Sequence, residues 1–399
     1  MKITTFGEIL ELQRGYDLPA SAMVKGNIPV AGSNGVIGYH NVSKVQPPCI
    51  TVGRSGSVGK VHFYNEPIWA HNTSLFVSDF KGNNQKYIYY LLKSKNFAKL
   101  CDSSVVPSLN RNFVYPIKTL FEENKDKQQK IAAVLSALDD KIALNRRMNE
   151  KLTAMAKRLY DHWFVQFDFP DADGKPYKAS GGKMVWNETL KREIPVGWEV
   201  KSISSFIKEN IGGDWGKEEP TGNYQLKVSC CRGADIESMT DLPTRFILTS
   251  NTSKLLEENN MVVEISGGSP TQTTGRCVLI SKEILNSFDN KLICSNFCQA
   301  LSISDKNYVS YFYHMWKMFY DSDIFFNFEG KTSGIKNFQY DTFVAEKWYF
   351  PPKELAAKFG EIVSKNYKMK CALDKENKRL AALRDRLLPL LMNGQVEVR

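Results

Sequence analysis

Gly53-Arg54-Ser55-Gly56-Ser57-Val58-Gly59-Lys60-Val61 is the stretch that most invites a chemical reading, a glycine-rich loop closed by a lysine. Such loops cradle nucleotide phosphates when four residues separate the glycines and a Ser or Thr follows the lysine. Here five residues lie between Gly53 and Gly59, and Val61 follows Lys60, so nucleotide binding is not supported. Two readings remain. The loop is a glycine turn between two strands, or its backbone N–H groups face a nucleic-acid phosphate together with Arg54, Ser55 and Lys60, which is the preferred reading.

Other chemistry is thin. Ile211-Gly212-Gly213-Asp214-Trp215-Gly216 only weakly echoes a dinucleotide fingerprint, with no strand ahead of a GxGxxG. Eight cysteines (49, 101, 230, 231, 277, 294, 298 and 371) form no CxxC pair. Cys294 and Cys298 come nearest to a ligand pair, but no second pair accompanies them at zinc-site spacing, so buried reduced thiols are expected and no metal. The five histidines are scattered, and no HExxH, GxSxG or paired-carboxylate pattern occurs. Asp168-Phe169-Pro170 lacks the second proline and the aromatic residue of the D/N-PP-Y/F motif of amino-methyltransferases. A catalytic site and a cofactor of the chain's own therefore have no support.

The elements around these residues fall into two β-rich blocks, each followed by a long helical stretch. Residues 1–123 read as short strands: a hairpin over 28–41 turning at Asn34-Gly35, two runs within 47–64 around the glycine loop, a strand at 73–80, then a helix within 85–100. Residues 167–195 are rich in Pro, Gly, Asp and Lys and read as a linker. Residues 196–352 repeat the order loosely, with strands near 224–230, 243–249, 261–265 and 276–280, a helix over 307–322 and a Gly/Lys/Ser loop at 330–338. Pro351 and Pro352 suit the start of the second long helix.

The helical stretches 124–166 and 353–399 share one pattern, 228 residues apart. Leu152 aligns with Leu380, Met155 with Leu383, Leu159 with Leu387 and Ile131 with Phe359. In the first, Ile131, Leu135, Leu138, Ile142, Asn145, Asn149, Leu152, Ala156 and Leu159 alternate steps of four and three. In the second, Leu355, Phe359, Ile362, Asn366, Met369, Leu373, Glu376, Leu380, Leu383, Leu387 and Leu390 do the same. That is a heptad seam, whereas a helix lying on a globular core would drift by about 20° per heptad. At 1.5 Å per residue each stretch would span roughly 57 Å. The two can pair antiparallel within the chain, with the seam asparagines fixing register.

Composition bounds the class. At 399 residues two domains are likelier than one, and 42% hydrophobic residues suffice for real cores. No apolar run reaches membrane-span length, and the N-terminus, with Glu8 and Glu11, has no signal-peptide core, so a cytoplasmic location is expected. The net charge of +10 divides unevenly: +5 over 1–123, +4 over 124–166, −4 over 167–352 and +5 over 353–399. A basic balance favours a polyanion, although the second block must meet one through a local patch.

This layout resembles the specificity subunit of type I restriction–modification enzymes (the HsdS family). The resemblance covers nearly the whole chain. It rests on Leu159-Tyr160-Asp161-His162-Trp163-Phe164-Val165-Gln166-Phe167-Asp168-Phe169-Pro170, on Ile194-Pro195-Val196-Gly197-Trp198-Glu199, and on the ending Leu383-Arg384-Asp385-Arg386-Leu387-Leu388-Pro389-Leu390-Leu391-Met392-Asn393-Gly394. The hairpin Gly32-Ser33-Asn34-Gly35-Val36-Ile37-Gly38-Tyr39 adds to it. It implies an α+β fold, with two β-rich target recognition domains (1–123 and 196–352) separated by two long antiparallel coiled-coil helices in a pseudo-two-fold repeat. Each domain would read one half of a bipartite site in double-stranded DNA. The helices would set the spacer and dock two methyltransferase (M) subunits, which bind S-adenosylmethionine and methylate adenine, while restriction (R) subunits add ATP/Mg-dependent cleavage. The chain itself would not be catalytic. Candidate base readers are Arg14, Ser33, Asn34, Arg54, Ser55, Lys60, Asn110 and Arg111 in the first domain. In the second they are Lys217, Gln272, Thr273, Arg276, Lys331, Thr332, Lys336 and Asn337. The rival reading is a non-catalytic coiled-coil adaptor with two β-rich ligand-binding domains, and behind it stands an enzyme with an unrecognised site.

Overall fold

The computed structural model describes residues 1–100, 108–267, 272–332 and 334–398, the side chains of Leu100, Lys331 and Thr332 excepted. The fold is α+β, with two long helices among short strands. Its packing divides into two compact units, one of residues 1–146 with 375–399 and one of 147–374.

In the first unit β1 (Lys2–Thr5) leads through the one-turn helix α1 (Phe6–Ile9) to β2 (Glu11–Arg14). Then follow β3 (Ile28–Gly32), β4 (Gly35–His40), β5 (Cys49–Gly53), β6 (Val61–Tyr64), β7 (Trp69–Ala70) and β8 (Ser74–Asp79). The β3–β4 hairpin turns where the Asn-Gly pair predicts, because Gly35 takes φ +105°, a conformation that side chains disfavour. Helix α2 (Gln85–Lys93) starts on Asn84, whose side chain accepts the Tyr87 N–H at 3.0 Å, and buries Tyr87, Ile88, Tyr90, Leu91 and Leu92. The short helix α3 (Arg111–Val114) and β9 (Lys118–Phe121), antiparallel to β1, complete the β-rich part. One sheet runs β2-β8-β5-β6 and a second β4-β3-β7, with β3 and β7 parallel.

The first long helix, α4, covers Lys125–Tyr160. Beyond it, residues 167–195 are folded rather than a free linker. Strands β10 (Met184–Asn187) and β11 (Arg192–Pro195) form a hairpin, and Phe167 and Ile194 are buried in the core of the second unit. This unit continues with β12 (Glu199–Ser202), β13 (Ile207–Gly212), β14 (Tyr224–Cys231), β15 (Thr244–Leu248), β16 (Met261–Glu264), β17 (Ser266–Gly267) and β18 (Cys277–Leu279). After α5 (Lys282–Leu285) come β19 (Lys291–Cys294), β20 (Cys298–Ile303) and α6 (Val309–Asp321). Then follow β21 (Glu329–Thr332), β22 (Ile335–Phe338), α7 (Tyr340–Ala345), β23 (Lys347–Phe350) and the second long helix, α8 (Lys353–Met392).

The sheets of this unit run β13-β20-β16-β18 and β15-β14-β19. They repeat the first unit strand for strand: β13, β16, β18 and β20 stand where β2, β5, β6 and β8 do. The antiparallel partner and the parallel partner of β14 are β15 and β19, as β4 and β7 are for β3. β12 pairs with β23 as β1 pairs with β9. One topology therefore occurs twice, each time ahead of a long helix. The small sheet β17-β22-β21 and the β10–β11 hairpin have no counterpart among the described strands of the first unit.

Within each unit the long helices run antiparallel. In the first, Arg384 pairs with Asp139 at 2.6 Å, and the Asn145 side-chain N–H group donates to Glu376 at 2.7 Å and Asn377 at 3.0 Å. In the second, the Asn149 side chain donates to Asp374 at 2.6 Å. On α4 the packed face holds Ile131, Leu135, Ile142, Asn145, Asn149 and Ala156 buried, with Leu138, Leu152 and Leu159 half-buried. On α8 the expected seam needs correction. Phe359 is buried and Leu373, Leu380 and Leu387 are half-buried, but Ile362, Met369 and Leu383 are exposed. The intervening seam positions are Ala356, Val363, Lys370, Asn377, Arg384 and Leu391, so the three-and-four alternation runs in the opposite order. Hydrophobicity misleads here because polar residues occupy the paired face: Arg384 finds Asp139, and Asn377 finds Asn145.

Candidate nucleic-acid interface

In the first unit the β5–β6 loop and the β3–β4 turn meet. A Cβ on Gly53 would lie 2.1 Å from the Ser57 carbonyl oxygen and 2.9 Å from that of Ser33, so only glycine lets these backbones approach. The loop closes on itself through the Gly53 N–H to the Lys60 carbonyl and the Gly59 N–H to the Gly53 carbonyl, each 2.8 Å. The N–H groups of Arg54 and Ser55 both go to the Thr73 carbonyl, and those of Val58 and Lys60 to the Gly56 and Ser57 carbonyls. This corrects the expectation of a backbone phosphate cradle: the amides of 53, 54, 55, 58, 59 and 60 are spent inside the protein. What remains of the loop for a nucleic acid is its side chains and the amides of Gly56 and Ser57.

Several of the expected readers share this edge. Lys60 donates to Asn34 Oδ1 at 2.6 Å, and both are exposed. Arg54 donates to the Asn72 carbonyl at 3.4 Å, Asn72 donates to Asp17, and Asp17 pairs with exposed Arg14 at 3.3 Å. Ser55 is bridged to Ser108, and Ser33 stands against Gly56. Asn110 and Arg111 are occupied locally. Asn110 caps α3 by accepting the Asn112 N–H at 3.0 Å, and Arg111 donates to the Leu12 carbonyl at 3.1 Å.

In the second unit the geometry corrects the expectation for most candidates. Arg276 forms a bidentate pair with Glu264, at 2.8 and 2.7 Å, with only 16% and 7% of the two side chains exposed. That hydrogen-bonded pair raises the Arg276 pKa against the effect of burial. Thr273 is buried, its hydroxyl donating to Glu329 at 2.8 Å. The Thr274 N–H donates to the same oxygen at 2.7 Å, and Lys336 reaches the other oxygen at 3.1 Å. Lys336 also donates to the Gln272 carbonyl at 3.3 Å, and Asn337 accepts the Ser266 hydroxyl at 2.6 Å. These side chains brace the β16–β18 connection against the small sheet. Burial pushes the Glu329 carboxyl up, but the Thr274 amide, the Thr273 hydroxyl and Lys336 together hold it below the usual carboxylate value.

Lys217 lies apart from them, bridged to Phe246 with its ammonium 5.6 Å from the Tyr224 ring. Lys331 and Thr332 sit on β21, and their side chains lie outside the described residues. Sequence reasoning missed Arg245, which stacks 4.2 Å from exposed Trp215 and pairs with Glu218 at 2.8 Å. Trp215 and Arg245 are thirty residues apart with no motif between them, so no local signal marks the pair. Among the described cysteines none is bonded to another, and Cys230, Cys277 and Cys294 are pushed by burial to about 12. These thiols are inert core residues at neutral pH.

Two copies of one β-rich module, each carrying a glycine/serine-rich connection beside basic side chains and each followed by a long helix, define the class of this protein. Residues 1–154 match the family described as "Type I restriction modification DNA specificity domain". The chain is 26% identical over 357 residues to the type I restriction enzyme MjaIX specificity subunit of Methanocaldococcus jannaschii, covering 86% of this chain and 76% of that one. It is 24% identical over 330 residues to the HindI specificity subunit of Haemophilus influenzae, covering 68% of each. Its fold is shared with the crystal structure of the type I restriction–modification system S subunit from M. genitalium, with a TM-score of 0.61 at 18% identity, over 98% of this chain and 96% of that one. Residues 1–154 thus fall in that family, and over most of its length the chain is similar to type I restriction enzyme specificity subunits.

Proposed function

We propose that this chain is the DNA-reading subunit of a type I restriction–modification complex. Each β-rich domain reads one half of a bipartite site in double-stranded DNA. The long helices set the number of base pairs between the halves and dock two methyltransferase subunits, and restriction subunits join the assembly. S-adenosylmethionine and ATP with Mg belong to those partners, and this chain contributes recognition without catalysis, in the cytoplasm. No helix among the described residues is long and apolar enough to cross a membrane.

The observation that carries this reading is the doubled topology, with the β5–β6 and β16–β18 connections in the same place in each copy. A split DNA site asks for this: two readers of one architecture, each with its own side chains on loops. The charge division also fits, since phosphate contacts need the basic first domain and helices, while Glu264 and Glu329 of the acidic second domain are turned inward.

The test is selection from a random duplex library with the chain reconstituted with its methyltransferase subunits. A bipartite consensus bound with a steep salt dependence is expected. Recovery of no bipartite motif rejects the reading. Four residues inserted within 131–159, about one helical turn, should lengthen the spacer and leave both half-sites unchanged.

A further inference from the structure

The β16–β18 connection and the small sheet β17-β22-β21 are tied by two carboxylates with no counterpart in the sequence expectations. Glu264 holds Arg276, twelve residues on, and so closes the two ends of the connection on each other. Glu329, at the start of β21, gathers the Thr273 hydroxyl and Thr274 N–H from the connection and the Lys336 ammonium from β22. Trp316, itself fully buried, donates to the Gly275 carbonyl at 2.8 Å, and Gly275 stands at φ +96° against the Phe325 ring. Thr273 and Thr274 are 4% and 1% exposed, so none of these donors is available to a ligand without breaking the arrangement. An ionised carboxylate this deep persists only because it is fully hydrogen-bonded, and removing its charge leaves a cation and two hydroxyls to find other partners. In the first unit Gly53 admits the Ser33 backbone, and the neutral Asn34 side chain, not a carboxylate, takes Lys60.

We infer that Glu329 is a positioning residue for recognition of one half-site, fixing the β21–β22 hairpin against the β16–β18 connection, the counterpart of the β5–β6 loop, so that the two elements form one rigid unit. Lys336 is thereby an internal strut and not a base reader. The inference rests on the proposed DNA-reading function. Half a site is affected because every group in the brace belongs to the second unit. Readers held to within a fraction of an ångström discriminate bases, whereas contacts to phosphate tolerate looser geometry.

The experiment measures binding of the reconstituted complex to its selected duplex and to duplexes altered at single base pairs in either half. Glu329→Gln keeps size and the threonine bonds but places an amide against the Lys336 ammonium. It is expected to reduce discrimination in one half-site about tenfold, with the other half-site, non-specific affinity and salt slope unchanged. Lys336→Met should reproduce that loss and Lys336→Arg should preserve discrimination. Equal loss in both half-sites, or full discrimination by Glu329→Gln, overturns the inference. Loss in Lys336→Met alone also overturns it, because Lys336 would then read DNA directly. Should the unaltered complex select no site, the proposed function falls and this inference with it. A normal site for the unaltered complex with an indifferent Glu329→Gln removes the inference only.

Discussion

Arg384 and Asp139 give the sharpest energetic test of the helix pairing in the first unit. Their side chains are 18% and 24% exposed, and Arg384 Nη1 lies 2.6 Å from Asp139 Oδ1. Tyr90, fully buried, donates its hydroxyl to the other Asp139 oxygen at 2.8 Å, and Lys93 stands 3.9 Å away. An exposed pair would contribute about 0.5 kcal/mol. At an effective dielectric constant of about 20, two charges ~4 Å apart attract by about 4 kcal/mol, of which desolvation takes back roughly half at this burial. A coupling energy of about 2 kcal/mol follows. Arg384→Ala should cost about 2.5 kcal/mol, including lost packing of its stem. Asp139→Ala should cost about 3 kcal/mol because it also orphans the buried Tyr90 hydroxyl. The double substitution should cost about 3.5 kcal/mol, well below the total of the singles. Hydrogen exchange on peptides from 131–145 in the full chain reads this directly, since local opening there requires the helices to part. The double variant should exchange about 30-fold more slowly than the two single effects multiply to. Additive effects would refute the claim that this pair holds the helices in register.

Three more outcomes follow from the geometry. Gly53→Ala drives a methyl group into the Ser57 and Ser33 carbonyls, so discrimination in one half-site should fall at least tenfold in the duplex-binding assay, while the second unit's half-site stays intact. Burial raises the Asp139 carboxyl, but Arg384, Tyr90 and Lys93 outweigh it and hold the pKa below the ordinary 3.8. The unfolded chain therefore takes up a proton first on acidification. The stabilisation, complete above the ordinary value, is lost as pH falls through the folded value, and Asp139→Asn should flatten that part of an acid-unfolding curve. Exchanging residues 1–123 for those of a relative should change one half-site only, as read by selection from random duplexes.

Much of the scaffold was legible because its signals are local. Asn34-Gly35 fixes a turn through backbone conformation, and the apolar spacing in 85–100 and 307–322 marks helices α2 and α6 whatever they pack against. The failures share one cause, a partner distant in sequence. Thr273 and Lys336 resemble surface readers until Glu329, 56 and seven residues away, folds onto them. The Arg54 and Ser55 amides look free until Thr73 supplies a carbonyl. The α8 seam is instructive, since the correct positions were available. Carrying the first seam forward by 228 residues gives 359, 363, 366, 370, 373, 377, 380, 384 and 387, all buried or half-buried. The internal repeat was the better guide. Hydrophobicity favoured Ile362, Met369 and Leu383, because it scores a residue alone and not the group it will face.

That inversion leaves α8 with two competing faces. One is polar in its middle and is matched to α4; the other carries Ile362, Met369 and Leu383 and is more apolar. A synthetic peptide of residues 353–392, released from α4, would have no Asp139 or Asn145 to meet. It would be expected to self-associate through the apolar face instead. The native choice of face is thus imposed by the neighbouring helix, so α8 owes its orientation about its own axis to a sequence more than 200 residues upstream.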